Sequence, residues 1–360
     1  MADKGEIRVL LMPKYGKAGP SSRYRFYNYL GLFDTAGLKC SVRPLFNDNF
    51  VRQLYSRRRK NKPLAAWCYL KRIITLLTLF RYRLVIIEYE LFPYFPTFFE
   101  RLLRLTGIKY IVDYDDAIFS KYENGGRLVR FFLGRKIQKV IKYSAATITG
   151  NNFLRTYAGK FNHNVYLIPT VVSSARYDAI NIDGNSDEIV LGWIGSPETA
   201  SYLIPFLSAF SRVQRDNITL RLIGFDMNLT YLLSGLKVEL VDWNEETEIS
   251  EMKKFSAGIM PLTDDIWSRG KCGFKLIQYM ACKLPVIASP VGANTEIVED
   301  GITGLLATEI QEWVNAIHYL CDNSEKAMQM GLKGYEKFRR HYSLESVSGK
   351  YIELIKKTAE

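Results

Sequence analysis

Between Arg269 and Pro285 the chain reads RGKCGFKLIQYMACKLP, a glycine-rich loop bearing Lys271 and Lys275 that runs into a helix-spaced apolar series, Leu276, Ile277, Met280 and Ala281. Exposed amides at the start of a helix attract anions, and two lysines add full positive charge, so the chemistry predicted is the docking of a phosphate or diphosphate. Gln278 falls one turn inside the helix, within reach of a sugar hydroxyl. The same residues also describe an amphipathic helix with one or two solvated lysines. Two further groups have chemical potential. Arg23 follows the loop Gly19-Pro20-Ser21-Ser22 and is placed to touch phosphate or simply to start a helix. Glu88 and Glu90 share one face if a strand runs through them, either both turned inward to a site or both solvated, and solvation is the expectation.

The elements that must position these groups form two alternating series. Ile7–Met12 reads as a buried strand, followed by a Gly/Pro/Ser loop from Tyr15 to Ser22 and a helix from Arg23 that stops at Gly37. Leu84–Ile87, Tyr110–Asp113 and Ala146–Thr149 are apolar runs of the kind found in strands covered on both faces. A polar stretch, Ser173 to Glu188, reads as a linker. Beyond it come Ile189–Gly195, Thr219–Gly224, Val238–Leu240, Ala257–Pro261 and Pro285–Ser289. Strands alternating with helical patterns imply parallel sheets, so the fold class expected is α/β, with two Rossmann-like doubly wound domains. The boundaries read as 1–172, a linker over 173–188, 189–342, and a charged helix over 343–360. A chain of 360 residues exceeds the ~250–300 at which single cores stop growing, which also favours two domains.

Composition narrows the function classes. Five scattered cysteines and three histidines form no C-x-x-C pair or Cys/His cluster, so neither a zinc site nor a disulfide framework is expected, and reduced cytosol is the default compartment. The polar start Met1–Glu6 does not resemble a secretory leader. The longest apolar stretch, Leu64–Phe80, is broken by Lys71 and Arg72, so no membrane span is expected. The net charge of +12 is uneven. No acid occurs between Asp48 and Glu88, where the bases are Arg52, Arg57, Arg58, Arg59, Lys60, Lys62, Lys71, Arg72, Arg81 and Arg83. A second acid-free stretch, Asn124–Tyr177, holds Arg127, Arg130, Arg135, Lys136, Lys139 and Lys142. Trp67, Tyr69, Leu70, Ile73, Ile74, Leu77 and Phe80 follow the first cluster at roughly helical spacing; Leu128, Phe131, Phe132, Ile137, Val140 and Ile141 accompany the second. Basic and aromatic segments of this type, 52–83 and 127–143, suit the interface of an anionic bilayer. Outer faces of core helices are the competing reading. No nucleic-acid module is present, and none is expected as a partner.

The stretch from Gly273 to Ala307, GFKLIQYMACKLPVIASPVGANTEIVEDGITGLLA, resembles the C-terminal signature of retaining GT-B glycosyltransferases of family 4. Gly292, Glu296, Ile297, Val298, Asp300, Gly301, Gly304 and Leu305 all fall on that signature. More weakly, Gly19–Arg23 resembles the family's glycine loop, and Gly192–Ser196 the loop that opens its second domain. The resemblance implies a donor nucleotide-diphosphate site built from Lys271, Gly273, Lys275, Gln278, Gly292, Ala293, Asn294, Thr295 and Glu296, with Gly195 and Ser196. Gly19, Ser21 and Arg23 would lie on the sugar and acceptor side. The family's two spaced glutamates are replaced here by Gly270 and Gln278, and Asp264 or Asp265 could stand in for the first. Where the family carries a histidine after a strand of its first domain, this chain has Asp115, so Asp115 and Asp113 are the catalytic candidates. Asp113-x-Asp115 is not read as a metal site, because GT-B enzymes neutralise the diphosphate with amides and basic side chains; no metal and no cofactor beyond the nucleotide sugar are expected.

The function implied is a glycosyltransferase acting with retention on a lipid-linked or polysaccharide acceptor, peripheral at the cytoplasmic face of the membrane. A GT-B-shaped binding or scaffold protein that has lost catalysis is the second reading, motivated by Gly270 and Gln278. A dinucleotide-dependent oxidoreductase is disfavoured because no G-x-G-x-x-G follows a predicted strand.

Overall fold

The computed structural model describes residues 6–57, 62–180 and 188–360. They divide into two compact units, the first of residues 1–170 with 347–360 and the second of 171–346. The first unit is built on a sheet of β1 (Ile7–Met12), β2 (Leu38–Val42), β3 (Leu84–Glu88), β4 (Tyr110–Tyr114), β5 (Ala146–Thr149) and β6 (Val165–Leu167) in the order β2-β1-β3-β4-β5-β6. The second holds β7 (Ile189–Ile194), β8 (Ile218–Ile223), β9 (Val238–Val241), β10 (Ala257–Met260), β11 (Val286–Ala288) and β12 (Leu305–Leu306) in the order β12-β11-β10-β7-β8-β9. Every pairing is parallel.

The central strands owe their position to their composition. Every residue of β3, β4 and β5 is buried, as a continuous β-branched run requires when helices cover both faces. The strands that the apolar pattern misses, β2, β6 and β12, all lie at sheet edges, where one side of the strand has no neighbour and a run of apolar residues is not needed. The helix expected over Arg23–Gly37 is broken into Pro20–Arg25, a 3-10 turn Tyr27–Tyr29, and Leu30–Thr35. Gly37 at φ +80° ends the last piece. The segment read as a linker begins with a helix, Ser174–Asp178, whose Tyr177 is buried, while residues 181–187 lie outside the described part. The final helix includes Tyr351, which packs edge-on against Tyr29 at 5.0 Å and Phe33 at 5.3 Å, so the chain returns to complete the core of the first unit.

Both sheets reverse their winding once. In the first unit the chain leaves β1 for β2 on one side and takes up β3 on the other. In the second it leaves β7 for β8 and β9, then takes up β10. Ligands of open α/β sheets bind outside the carboxyl ends of the strands at such points. The loops after β1 and β3, and those after β7 and β10, are therefore the places to look for chemistry.

Candidate active site

In the second unit, Gly195 and Ser196 follow β7. A Cβ at Gly195 would lie 2.3 Å from the indole of Trp193, so only glycine lets the chain turn across that ring. Ser196 then opens the 3-10 helix Pro197–Leu203 through bonds shared with Thr199. The helix Phe274–Ala281 is pinned beneath the same strand ends by Tyr279. Its hydroxyl accepts from the Ile194 amide at 3.0 Å and donates to the Ile259 carbonyl at 3.3 Å, and Gly258 leaves room for its ring. Lys275, in the first turn of that helix, holds its Nζ 4.0 Å from the centre of the Trp193 ring. No carboxylate among the described residues forms an ion pair with it. Burial first, and the nearby positive charge of Lys271 second, hold the Lys275 ammonium well below its ordinary pKa. Lys271 lies over the rings of Tyr202 and Trp267.

Two glycine loops close on each other beside these lysines. Gly273, at φ +64°, starts the helix against Ile297, whose Cδ1 would be 2.2 Å from an added Cβ. Gly292, at φ +55°, lies so near the backbone of Arg269 that a Cβ would stand 2.5 Å from its carbonyl oxygen. The turn from Gly292 through Ala293 into Asn294–Ile297 is braced by Thr295 Oγ1 donating to the Gly292 carbonyl at 2.9 Å and Asn294 Nδ2 to Ser289 at 2.9 Å. Among the described bonds, the amides of Gly292 and Ala293 donate to no protein acceptor. Glu296 is half-buried, and its carbonyl accepts from Lys337.

Three expected contributors to this site are engaged elsewhere. Gln278 is buried and donates to the Tyr177 hydroxyl at 3.2 Å, so its amide is spent inside the unit. Asp264 receives two bonds from Arg269, at 2.6 and 2.8 Å. Asp265 caps the short helix Ile266–Arg269 by accepting from the Ser268 amide at 2.8 Å. In these arrangements neither aspartate stands free as a replacement for the missing glutamate, and Arg269 is neutralised by its partner. The basic side chains left near the two loops are then Lys271 and Lys275, and the charged form of Lys275 is disfavoured until an anion arrives.

In the first unit the loop after β1 is fastened from several sides. The Lys14 amide donates to Glu88 Oε2 at 2.6 Å, Ser22 Oγ donates to the same oxygen at 2.5 Å, and the Tyr15 amide donates to Ser22 Oγ. Gly19 packs against Tyr15, and Ser21 is half-buried in the first turn of Pro20–Arg25. Arg23 is buried with its guanidinium over the Tyr24 ring. Glu88 is 2% exposed, which corrects the expectation of a solvated acid. Burial above all, and then the negative charge of Asp115, push its carboxyl up to about 8. Glu90 is also buried, against Lys136 and Tyr122.

The two catalytic candidates part company. Asp113 is 1% exposed and grips Arg25 in a two-point ion pair, while Arg25 also donates to the Ile168 carbonyl at 2.7 Å. A carboxylate so enclosed holds the strand ends together and does not face a ligand; burial outweighs Arg25 and raises it to about 6. Asp115, two residues on and half-buried, accepts a hydrogen bond from the Tyr89 hydroxyl, on a residue whose φ is +63°. From the sequence, Arg25 and Tyr89 receive no role, and Ser22 enters only as a member of the glycine loop. The signal for Arg25 was present: an aspartate inside the apolar strand YIVDY requires a buried cation.

The basic segments divide in the same way. In the helix Lys62–Leu76, Trp67, Leu70, Ile73 and Ile74 are exposed, whereas Arg72 turns inward to the Pro13 carbonyl at 2.9 Å. Leu128, Phe131 and Phe132 are exposed, but Ile137, Val140 and Ile141 belong to the core and Lys136 is buried. Arg58, Arg59 and Lys60 lie outside the described residues. A third apolar surface, Tyr94, Phe95, Phe98, Leu102 and Leu105, was not singled out from the sequence. Among the described residues no helix is long and apolar enough to cross a membrane, and no group of three or more His, Cys, Asp or Glu could hold a metal ion.

Residues 188–323 match the sequence model of the family described as "Glycosyl transferases group 1". A curated relative, a probable sucrose-phosphate synthase of Thermosipho melanesiensis, is 28% identical over 137 residues, 37% of this chain; the match spans only 31% of that protein's length. Among solved structures, Anabaena Alr3699/HepE in complex with UDP-glucose superposes with a TM-score of 0.74 at 15% identity, covering 98% of this chain and 100% of that one. WaaG, a glycosyltransferase involved in lipopolysaccharide biosynthesis, superposes with a TM-score of 0.68 at 13% identity over 97% of this chain and 99% of its own. The protein therefore has a GT-B-type fold, and the part of it that matches the group 1 glycosyltransferase model, residues 188–323, lies within the second unit.

Proposed function

We propose that this protein transfers a sugar from a nucleoside-diphosphate donor, with retention and without a divalent metal, to a lipid-linked or polysaccharide acceptor in cell-envelope glycan synthesis, working from the cytoplasmic surface of the membrane. The observation that carries the donor half is the meeting of the loops at Gly273 and Gly292 beside Lys271 and Lys275, within the segment that matches the glycosyltransferase family. Amides of Gly292 and Ala293 and the two ammonium groups would take the charge that develops on the departing diphosphate. Pre-positioned donors of this sort do not need to reorganise as the bond breaks. That a HepE structure holds UDP-glucose supports a nucleotide sugar as the donor class.

On the acceptor half, Asp115 is the less buried of the two catalytic candidates, and the Tyr89 hydroxyl donates to it. Its carboxylate would accept the acceptor hydroxyl's proton or offset positive charge growing at the anomeric carbon. The exposed apolar and basic residues of the first unit support an anionic bilayer as the place where the acceptor is met.

The test is a product assay with UDP-, GDP-, dTDP- and ADP-sugars and lipid-linked acceptors, with the anomeric configuration of the product read by NMR. Transfer that persists in EDTA and yields the donor's anomeric configuration is expected. Absence of both transfer and nucleotide-diphosphate binding for every donor would overturn the proposal.

A further inference from the structure

The segment from Leu91 to Phe98 combines a backbone tethered over its first half with exposed aromatic side chains. Four successive residues each have a main-chain group held by a different part of the first unit. The Leu91 amide donates to Glu100 Oε1 at 3.0 Å, and the Phe92 carbonyl accepts from Lys136. The Pro93 carbonyl accepts from the Tyr69 hydroxyl at 2.9 Å, and the Tyr94 amide donates to the Tyr122 hydroxyl at 3.1 Å. Below them, Lys136 is ion-paired with Glu90, and the Tyr122 hydroxyl donates to that same carboxylate. Glu90, Glu100, Lys136 and Tyr122 are all buried.

A buried ion pair of this kind is no more stabilising than apolar side chains of equal volume. Its distinctive product here is geometric, a loop held at four consecutive points. The loop presents aromatic side chains together: Tyr94, Phe95 and Phe98 are 58, 51 and 64% exposed, and Tyr94 has a φ of +61°. Leu102 and Leu105 extend the apolar surface along the following helix, and Phe95 joins it to the helix Lys62–Leu76 through Tyr69, 6.0 Å away. The exposed charges that adjoin it are cationic, Arg101 and Arg104 on one helix and Lys71 on the other, while the acids of the segment, Glu90 and Glu100, are turned inward.

We propose that Leu91–Phe98 is a pre-set aromatic wedge that enters the acyl boundary of an anionic bilayer, its height fixed from below by the Glu90–Lys136–Tyr122 network. The proposal rests on the membrane reading given above and assigns the inserting element within it. Aromatic tips supply burial, the flanking cations supply attraction to anionic headgroups, and the tethers remove the ordering cost that a floppy loop would meet on insertion.

The experiment is flotation of the full chain with vesicles of phosphatidylglycerol and phosphatidylcholine. The parent protein floats with these vesicles and not with pure phosphatidylcholine. The triple variant Tyr94→Ser/Phe95→Ser/Phe98→Ser loses at least tenfold in partitioning while its circular dichroism and nucleotide-diphosphate binding are kept. Glu90→Gln/Lys136→Met, which alters no exposed side chain, weakens partitioning several-fold. In Phe95→Trp, acyl-brominated lipid quenches more fluorescence than in the parent. A parent that fails to float on anionic vesicles overturns the membrane reading and the wedge with it. A floating parent whose triple variant floats equally well overturns the wedge alone, and so does a Phe95→Trp variant in which brominated lipid quenches no more than in the parent. Equal flotation on neutral vesicles overturns the choice of an anionic surface.

Discussion

Asp113 and Asp115 stand two residues apart at the end of β4, and their surroundings separate their effects. Asp113 is sealed against Arg25, so Asp113→Ala leaves a buried guanidinium without its counter-charge and should cost ~3 kcal/mol or more of stability. Asp115 is half-buried beside Tyr89; Asp115→Asn should leave the melting temperature nearly unchanged and lower kcat by ~100-fold or more. Thermal unfolding and turnover of the two variants check the contrast, and equal effects on both readouts would refute it. Lys275 offers a second separation. Its ammonium is disfavoured by burial and by Lys271, and an incoming diphosphate would favour it again. Donor binding should then take up a proton, so affinity for a nucleoside diphosphate falls as pH rises. Calorimetry of UDP binding in buffers of different ionisation enthalpy reads that proton directly, and Lys275→Met should abolish the uptake.

Loops, more than helices or strands, decide the form of the candidate site, and here glycine is the controlling residue. Gly292 meets two demands that a side chain cannot meet together, a left-handed φ of +55° and contact with the Arg269 backbone. Gly292→Ala should therefore strain the turn by ~1–2 kcal/mol from the backbone alone and push the 269–273 loop away, weakening UDP binding by more than tenfold. Isothermal titration checks this, with Gly301→Ala as the comparison, since no atom crowds a Cβ there although its φ is also positive. Unchanged UDP binding in Gly292→Ala would mean that the meeting of these loops does not shape the site. The central strands and the loop segment Gly270–Gly304 were legible because continuous apolar runs and glycine spacing are local properties. Edge strand β2 was not: LKCSV does alternate apolar and polar residues, but over five positions and without the continuous apolar run that marks the central strands. Nor were the contacts of Ser22, Arg25 and Tyr89, whose partners Glu88, Asp113 and Asp115 lie 66, 88 and 26 residues away and come near only through the sheet order.

Across the whole molecule the buried charges are unevenly shared. Of the nine charged side chains that are buried among the described residues, Glu248 alone lies in the second unit; the other eight lie in the first. These buried carboxyl groups should accordingly make the first unit a main source of the dependence of stability on pH, and Glu88 allows the sign of its own contribution to be derived. An unfolded glutamate releases its proton near pH 4.3, whereas the folded one holds it to about 8. Between those limits the folded state binds more protons than the unfolded state, so stability falls as pH rises, by about 1.4 kcal/mol per pH unit for one such group. Below the window Glu88 is neutral in both states, and above it charged in both, so the contribution levels off at each end. Asp113, raised to about 6, adds the same sign over the lower part of the window. Glu88→Gln keeps the shape and removes the proton exchange. The difference in melting temperature between Glu88→Gln and the parent should therefore widen in favour of the variant from about pH 4.5 to pH 8 and then become constant. Because other titrating groups are common to both proteins, they cancel in that difference. A difference that stays flat across the range would show that Glu88 is ionised in the folded protein, with its charge compensated by Lys14 and Ser22.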